Sequence, residues 1–357
     1  MNNNTIANLF ILNGINIRGL LAMELGTLYI YTQGAKLTKV GERLVVRSKE
    51  NKIIHDMPFF KIRQIFCFGT IEVTAQTIFQ IMYRNIDLVY LTQNGRFKCR
   101  LSNLNEKSVL SRLAQYHRAQ DDIFKLEMAR KIVIGKLSNY KNWIMYKNRH
   151  GVIEANNEAF AINQTIDLGE RAKSVEELMG IEGNGSKIYF EAFRKALKQN
   201  LSFFERNRRP PKDPVNAMLS FGYTILYHKV LAAIEQAGVD PFMANLHSNQ
   251  NSRPSLALDL MEEFRHFVVD NVILKLVNLA QVKANNFTYT ADKGVLMNDY
   301  AISMVVKEIQ ARLGNSFYYP HDGKKIELQE QILRQAYAYR EAVNKGVEFY
   351  EPLVFNR

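Results

Sequence analysis

The chain of 357 residues, 47% of them hydrophobic, is long enough for one large domain or two ordinary ones and too apolar to be a disordered segment. Its 47 Lys and Arg against 35 Asp and Glu leave a formal net charge of +12 and a pI near 9.5, which points toward a polyanionic partner such as nucleic acid. Two cysteines, Cys67 and Cys99, exclude a disulfide framework and a four-thiolate zinc site, and they fit a reducing, cytoplasmic setting.

Residues 1–22 carry apolar runs at Leu9-Phe10-Ile11-Leu12 and Leu20-Leu21-Ala22, yet the opening Met1-Asn2-Asn3-Asn4-Thr5 lacks the positive charge of a signal peptide. Asn13, Gly14, Asn16 and Arg18 break the run short of membrane-spanning length, and no later stretch is read as a span. Between about residues 26 and 102, apolar and β-branched runs at 28–31, 43–46, 52–54, 65–68, 88–91 and 97–101 predict the strands of a small β domain. Gly34, Gly41, Pro58, Gly69 and Asn94-Gly95 punctuate them. A helical patch over 77–84, with Ile78, Ile81 and Met82 on its apolar side, interrupts the series.

Beyond about Asn105 the period changes: Val109, Leu110 and Leu113, then Ile123, Phe124, Leu126, Ile132, Val133 and Leu137, recur at helical steps. Further helices are predicted over 191–204, 215–236, 255–280, 301–313 and 329–345, so this second part is read as mostly α.

Four segments of the α part carry chemistry. In Leu178-Met179-Gly180-Ile181-Glu182-Gly183-Asn184-Gly185 an acid is framed by glycines ahead of a helical stretch. This is either an ordinary helix-entry turn or a place where backbone approaches a ligand closely, with Glu182 a candidate metal ligand. The proline-stiffened loop Arg206-Asn207-Arg208-Arg209-Pro210-Pro211-Lys212-Asp213-Pro214-Val215-Asn216 either neutralises DNA phosphates or is a hydrated charge run. Arg206, Arg208, Arg209, Lys212 and Asn216 are its candidate contacts, with Arg253 farther on.

His247 precedes a polar loop, 248–252, that lets its imidazole reach back to the following helix. In Arg253-Pro254-Ser255-Leu256-Ala257-Leu258-Asp259-Leu260-Met261-Glu262-Glu263-Phe264-Arg265, Pro254 suits a first turn, which puts Asp259 too deep to be a cap or dipole partner. Asp259 and Glu262 then share a helical face, to grip a hard cation or, with Glu263, to form a solvated acidic stripe. Histidine beside a carboxylate pair makes a mixed nitrogen and oxygen site suited to Mg²⁺ or Mn²⁺. Without its ion such a cluster is expected to carry excess negative charge, so that alanine at Glu182 or Glu262 raises the melting temperature of the metal-free chain.

Together these segments resemble the Cas integrase of CRISPR spacer acquisition, the larger of the two proteins that insert new spacers. The resemblance runs through Gly26-Thr27-Leu28-Tyr29, Gly34-Ala35-Lys36-Leu37 and Gly41-Glu42-Arg43-Leu44, then Met179-Gly180-Ile181-Glu182-Gly183 and the stretches 208–216 and 253–262. Gly294-Val295-Leu296-Met297-Asn298-Asp299 and Tyr350-Glu351-Pro352 extend it, so it covers the chain from about Met23 onward. It implies an α+β protein with an N-terminal small β-sandwich domain over 23–104 and a larger all-α catalytic domain over 105–357, behind an extension of unknown role at 1–22. It also implies that Glu182, His247, Asp259 and Glu262 bind the Mg²⁺ or Mn²⁺ ion and carry catalysis. The implied activity is a divalent-metal-dependent DNA strand transferase with endonuclease activity, joining the 3′-hydroxyl of a short prespacer DNA to the CRISPR array. The implied partners are a second copy of the chain as a homodimer, the small second Cas adaptation protein in a heterohexamer, DNA and, in some relatives, a reverse transcriptase. A related mobile-element integrase, a general branched-DNA nuclease and a non-catalytic DNA-binding scaffold remain open alternatives.

Overall fold

Residues 22–24, 26–93, 95–101, 109–208, 210–248, 253–291, 294–319 and 324–355 are described by the structure, a computed structural model. The extension before residue 22, and Arg209 of the basic loop, lie outside the described residues.

The strand-rich part builds two sheets. One sets β1 (Ala22–Glu24), β2 (Thr27–Ile30), β6 (Gln64–Phe68), β8 (Asp87–Leu91) and β9 (Phe97–Leu101) side by side in that order, with β2, β6 and β8 parallel. The other sets β5 (Ile53–Pro58), β4 (Arg43–Arg47), β3 (Lys36–Val40) and β7 (Glu72–Val73) side by side. β3, Lys-Leu-Thr-Lys-Val, is too polar to stand out in the sequence; β4 makes it a strand by pairing with it from Lys36↔Arg47 to Val40↔Arg43. Helix α1 (Ala75–Tyr83), capped by Thr74, lies against β3 and β8.

Side chains alternate across a strand, and the first sheet uses both of its faces. Leu28, Ile30, Ile65, Cys67 and Leu88 share a core with Leu37, Leu44, Val46 and Met57 of the second sheet. Tyr29, Tyr31, Phe66, Phe68, Val89 and Leu91 belong to the core of the helical part. There Tyr29 stacks on Phe66 with ring centroids 4.9 Å apart, and Phe68 meets Phe221 at 5.4 Å. The sandwich is therefore two layers of a three-layer stack of sheet, sheet and helices, and the doubly buried parallel strands read as continuous apolar runs for that reason.

The helical part contains α2 (Val109–Arg118), α3 (Asp122–Arg149), α4 (Asn156–Arg171), α5 (Val175–Lys195), α6 (Pro214–Ala237), α7 (Ser255–Met261), α8 (Asn271–Asn278), α9 (Asp299–Gly314) and α10 (Leu328–Lys345). Two hairpins, β10 (Phe287–Tyr289) with β11 (Val295–Met297) and β12 (Ser316–Tyr319) with β13 (Lys324–Glu327), qualify the all-α expectation. Their strands are too short for a period to show.

The predicted helix over 191–204 is also corrected: α5 begins at Val175, contains the whole glycine-rich stretch and ends at Lys195. The single helix expected over 255–280 divides into α7, a π-helical turn over Arg265–Asp270, and α8. α6 is long and apolar enough to cross a membrane, contrary to the reading that no later stretch qualifies, but it is a core helix with most of its length buried inside the protein. It packs against α10, α7 and the π-helical turn, and apolar residues all round are what such a position demands.

Candidate active site

α3, α5 and the end of α7 converge on one ammonium group. Asp121 caps α3, accepting from the backbone N–H of Ile123 and Phe124 at 3.1 and 3.0 Å, and the helix carries Lys136 into the interior, where it is 3% exposed. Lys136 Nζ donates to Glu182 Oε1 of α5 and lies 2.6 Å from Oε2 of Glu262, the residue that follows α7. Arg265 Nη2, one turn on, sits 2.9 Å from Glu262 Oε1, and Ser186 Oγ donates to Glu182 at 2.8 Å. α5 approaches α3 this closely because of Gly185, where any Cβ would overlap the Leu137 side chain. Gly180 and Gly183, by contrast, have open space where a side chain would be, which leaves bare backbone on either side of Glu182.

Burial by itself would raise both carboxyls. At Glu182 the Lys136 charge, together with the hydrogen bonds from Lys136 and Ser186, outweighs burial and holds that group below the usual carboxylate range. At Glu262, Arg265, then Lys136 and His247, bring the value down to about 2. Burial likewise works against the charge on Lys136, but Glu182 and Glu262 overcome it and leave its pKa raised. The excess negative charge expected of the cluster is thus absent: the structure pairs Glu182 and Glu262 with Lys136 and Arg265.

Asp259, three residues before Glu262 at the end of the same helix, does not meet Lys136 as Glu262 does: its carboxylate is bonded to the 245–247 segment. It is fully buried, and its Oδ2 accepts the backbone N–H groups of Asn245 and Leu246 at 2.7 and 2.9 Å. Its Oδ1 accepts the backbone N–H of His247 at 3.0 Å and the ring Nδ1–H at 2.8 Å. An imidazole bound this way keeps its Nε2 lone pair as the ligating one, the usual division of labour between a metal-binding histidine and the carboxylate that orients it.

Among the described residues, no three His, Cys, Asp or Glu side chains are gathered closely enough to hold a metal ion. The donor chemistry fits a hard divalent cation nonetheless. Glu182 and Glu262 come from separate elements to one cationic point, Glu262 Oε2 is buried with the Lys136 ammonium 2.6 Å away, and His247 is near enough to act on Glu262. Lys136 holds the position between the two carboxylates that such an ion would share.

Sequence reasoning missed Lys136 and Arg265, and its alternative of a solvated stripe that includes Glu263 does not hold. Glu263 is instead buried, accepting from Tyr350 Oη at 2.5 Å, Leu353 N–H at 2.8 Å and Gln335 Nε2 at 2.8 Å, with burial pushing its pKa up to about 7. Asn139 of α3 secures the same tail, donating to Leu353 O at 2.8 Å and accepting from Phe355 N–H at 3.0 Å.

The basic loop divides into scaffold and surface. Asn216 is fully buried, donating to Asp213 Oδ2 at 2.6 Å and Glu205 O at 2.8 Å and accepting from Arg206 Nη1 at 2.7 Å, so it binds the loop to itself and is corrected as a DNA contact. Arg206 also donates to Ser220 Oγ at 3.0 Å and lies over the Tyr223 ring at 5.4 Å, with burial lowering its pKa to about 10. Arg265 lies over the same ring at 4.8 Å, so Tyr223 joins the loop to the carboxylate site. Arg208 and Lys212 are exposed, and Arg253 is half-buried.

A family model described as CRISPR associated protein Cas1 matches residues 28–311. The chain is 30% identical over 343 residues to the CRISPR-associated endonuclease Cas1 1 of Chlorobaculum tepidum, with 93% of this chain and 99% of that protein covered. Among solved structures, a casposase bound to integration product superposes with a TM-score of 0.81 at 24% identity, over 94% of each chain. A chain of a Cas6-RT-Cas1–Cas2 complex superposes at 0.79 and 21% identity, over 94% of this chain and 37% of that one. At these identities the structural likeness is one of fold.

Proposed function

The chain belongs to the Cas1 family of CRISPR-associated proteins, and on that footing we propose that it is the DNA integrase and endonuclease of CRISPR adaptation, joining the 3′-hydroxyl of a short DNA to the repeat array by transesterification. The observation that carries the reading is the meeting of Glu182 and Glu262 on one buried ammonium, beside a histidine whose ring a carboxylate has already oriented.

Glu182, His247 and Glu262 would hold Mg²⁺ or Mn²⁺, with Asp259 moved from ligand to orienting residue. When bound, such an ion polarises the attacked phosphate and lowers the pKa of the attacking hydroxyl. Asp259 holds the His247 ring in one tautomer and fixes the backbone of 245–247 by three N–H bonds. Lys136 and Arg265 keep the two glutamates ionised. Arg208, Lys212 and Arg253 hold the DNA backbone, while Arg206 supports the loop that presents the first two. The nucleophile is the hydroxyl of the DNA itself, so no serine or tyrosine of the chain is assigned that role.

A Cas6-RT-Cas1–Cas2 complex among the named neighbours supports the small second Cas protein and a reverse transcriptase as partners; a homodimer within a heterohexamer is part of the same proposal. Joining of a short duplex to an array plasmid, with the small partner present, tests the reading. Mg²⁺ or Mn²⁺ should support it and EDTA abolish it. His247→Ala and Glu262→Gln should each lower it by a factor of order a thousand, while gel-shift affinity stays nearly unchanged. Undiminished joining in both variants, or in EDTA, removes this site from the reaction.

A further inference from the structure

The charges around the carboxylate pair set a condition on what can bind there. Glu182, Glu262 and Asp259 stand against Lys136 and Arg265, one negative charge in excess, and Asp270 beyond them is matched by Arg206. The two charges of a divalent cation, held by Glu182, Glu262 and a neutral His247, turn that excess into one positive charge. The same two carboxylates would then face both the cation and the Lys136 ammonium, and like charges held together away from water repel strongly. A DNA phosphodiester brings the single negative charge that cancels the surplus.

Arg265 is the less free of the two cations to yield. Its guanidinium is 2.9 Å from Glu262 Oε1 and lies over the Tyr223 ring at 4.8 Å, so its planar fork is engaged by edge and by face. Lys136 is a point charge on a flexible four-carbon stem. Its Nζ bonds Glu182 Oε1, and the side chains of Glu182 and His247, each 23% exposed, form the mouth of the site, whereas Lys136 and Glu262 are nearly fully buried. The space left open at Gly180 and Gly183 adjoins Glu182 on that helix. We propose that Lys136 is a catalytic residue that moves: as the carboxylates take the cation, its ammonium turns from them to a nonbridging oxygen of the attacked phosphate at the mouth. That role rests on the integrase reading. Lys136 keeps its proton throughout. The 3′-hydroxyl of the incoming strand forms the new P–O bond and gives its proton to water, while the 3′-oxygen of the array strand leaves with the electron pair of the broken P–O bond and takes a proton from water. An ammonium placed there acts where negative charge grows during the reaction.

Mn²⁺ titrations read by the electron paramagnetic resonance of the free ion test this without turnover. The full chain, Lys136→Met and Lys136→Arg are each titrated alone and with a saturating branched DNA of the joined form. Without DNA, Lys136→Met should bind Mn²⁺ roughly tenfold more tightly than the parent chain, since no ammonium competes for the carboxylates. DNA should tighten Mn²⁺ binding by about tenfold in the parent and by clearly less in Lys136→Met, because a lysine that moves from carboxylate to phosphate carries part of that coupling. Plasmid joining at saturating Mn²⁺ should fall on the order of a hundredfold in Lys136→Met, the loss expected for one donor to a developing oxyanion, and return in part in Lys136→Arg. A lysine that only braces the fold leaves the effect of DNA on Mn²⁺ binding the same in both chains; that equality, or parental joining by Lys136→Met, overturns the proposal. If Lys136→Met loses its near-ultraviolet dichroism, Lys136→Gln, neutral and still able to donate to Glu182, takes its place in every arm. Failure of the parent chain to join DNA sinks the integrase reading instead, and the Mn²⁺ comparison still decides where Lys136 goes.

Discussion

Lys136 does for Glu182 and Glu262, in the absence of an ion, part of what a divalent cation would do in its presence. Removing one partner of a buried ionic cluster leaves the others uncompensated, at a cost of about 3 kcal/mol. Lys136→Met should therefore lower the metal-free melting temperature, and added Mn²⁺ should raise it further in the variant than in the parent chain. Equal melting of the two without metal would contradict this. The charge-relief expectation reverses for the same reason: Glu262→Ala strands Arg265 in the interior, leaves Lys136 with Glu182 alone, and should lower the metal-free melting temperature. Glu182, His247, Asp259 and Glu262 could be singled out as candidates because each stands in a distinctive run of neighbours. The distinct work of Asp259 was not, since it depends on three N–H groups of a loop twelve to fourteen residues away. Lys136 carried no signal at all, because within Gly135-Lys136-Leu137 nothing local separates it from an exposed lysine such as Lys187.

α5 shows why glycine misleads at the level of an element. Three glycines between 180 and 185 read as a turn, because each costs a helix about 1 kcal/mol relative to alanine. Here the Gly185 contact with α3 repays the helix through packing, while Gly180 and Gly183 face open space and repay nothing in stability. Gly180→Ala and Gly183→Ala should each stabilise the chain by about 1 kcal/mol, and Gly183→Ala should lower DNA joining, because the proposed function brings a strand to the bare backbone beside Glu182. Denaturant melts and the plasmid assay check the two halves separately, and full joining by a stabilised Gly183→Ala would show that the glycine serves no close approach. The helices α6, apolar throughout, and α9 and α10 were legible to within a few residues. β3 and the two hairpins were not, since their ladders rather than their composition make them strands.

At the scale of the whole molecule, the shared core between sheet and helices has a weak point against acid. His228 of α6 is 1% exposed, its ring lies 5.0 Å from Phe97 and 6.2 Å from Phe66, and both ring nitrogens are buried without a hydrogen bond. Burial, with repulsion from Arg100 added, lowers its pKa from 6.5 to about 3. Between those values the unfolded chain takes up a proton that the folded chain refuses, so stability is full above about pH 6.5 and falls as pH drops toward 3, by at most about 1.4 kcal/mol per unit. Denaturant midpoints for His228→Phe should lose this part of the slope, and a slope identical to that of the parent would exclude the imidazole as its origin. The periods in the sequence located the change from strands to helices near residue 105, but they gave no sign that the two parts share one core, because a strand buried on both faces does not reveal what covers each. The tail held by Glu263 also imposes an order in time. The turn that bears Glu262 leaves the ribosome well ahead of Tyr350 and Leu353, the residues that lock it, so a nascent or prematurely stopped copy has every side chain of the candidate site but no finished site. A translation product ending at Gly346 should still bind DNA and fail to join it, which would spare a cell's own chromosome from unfinished copies of an enzyme that cuts and joins DNA.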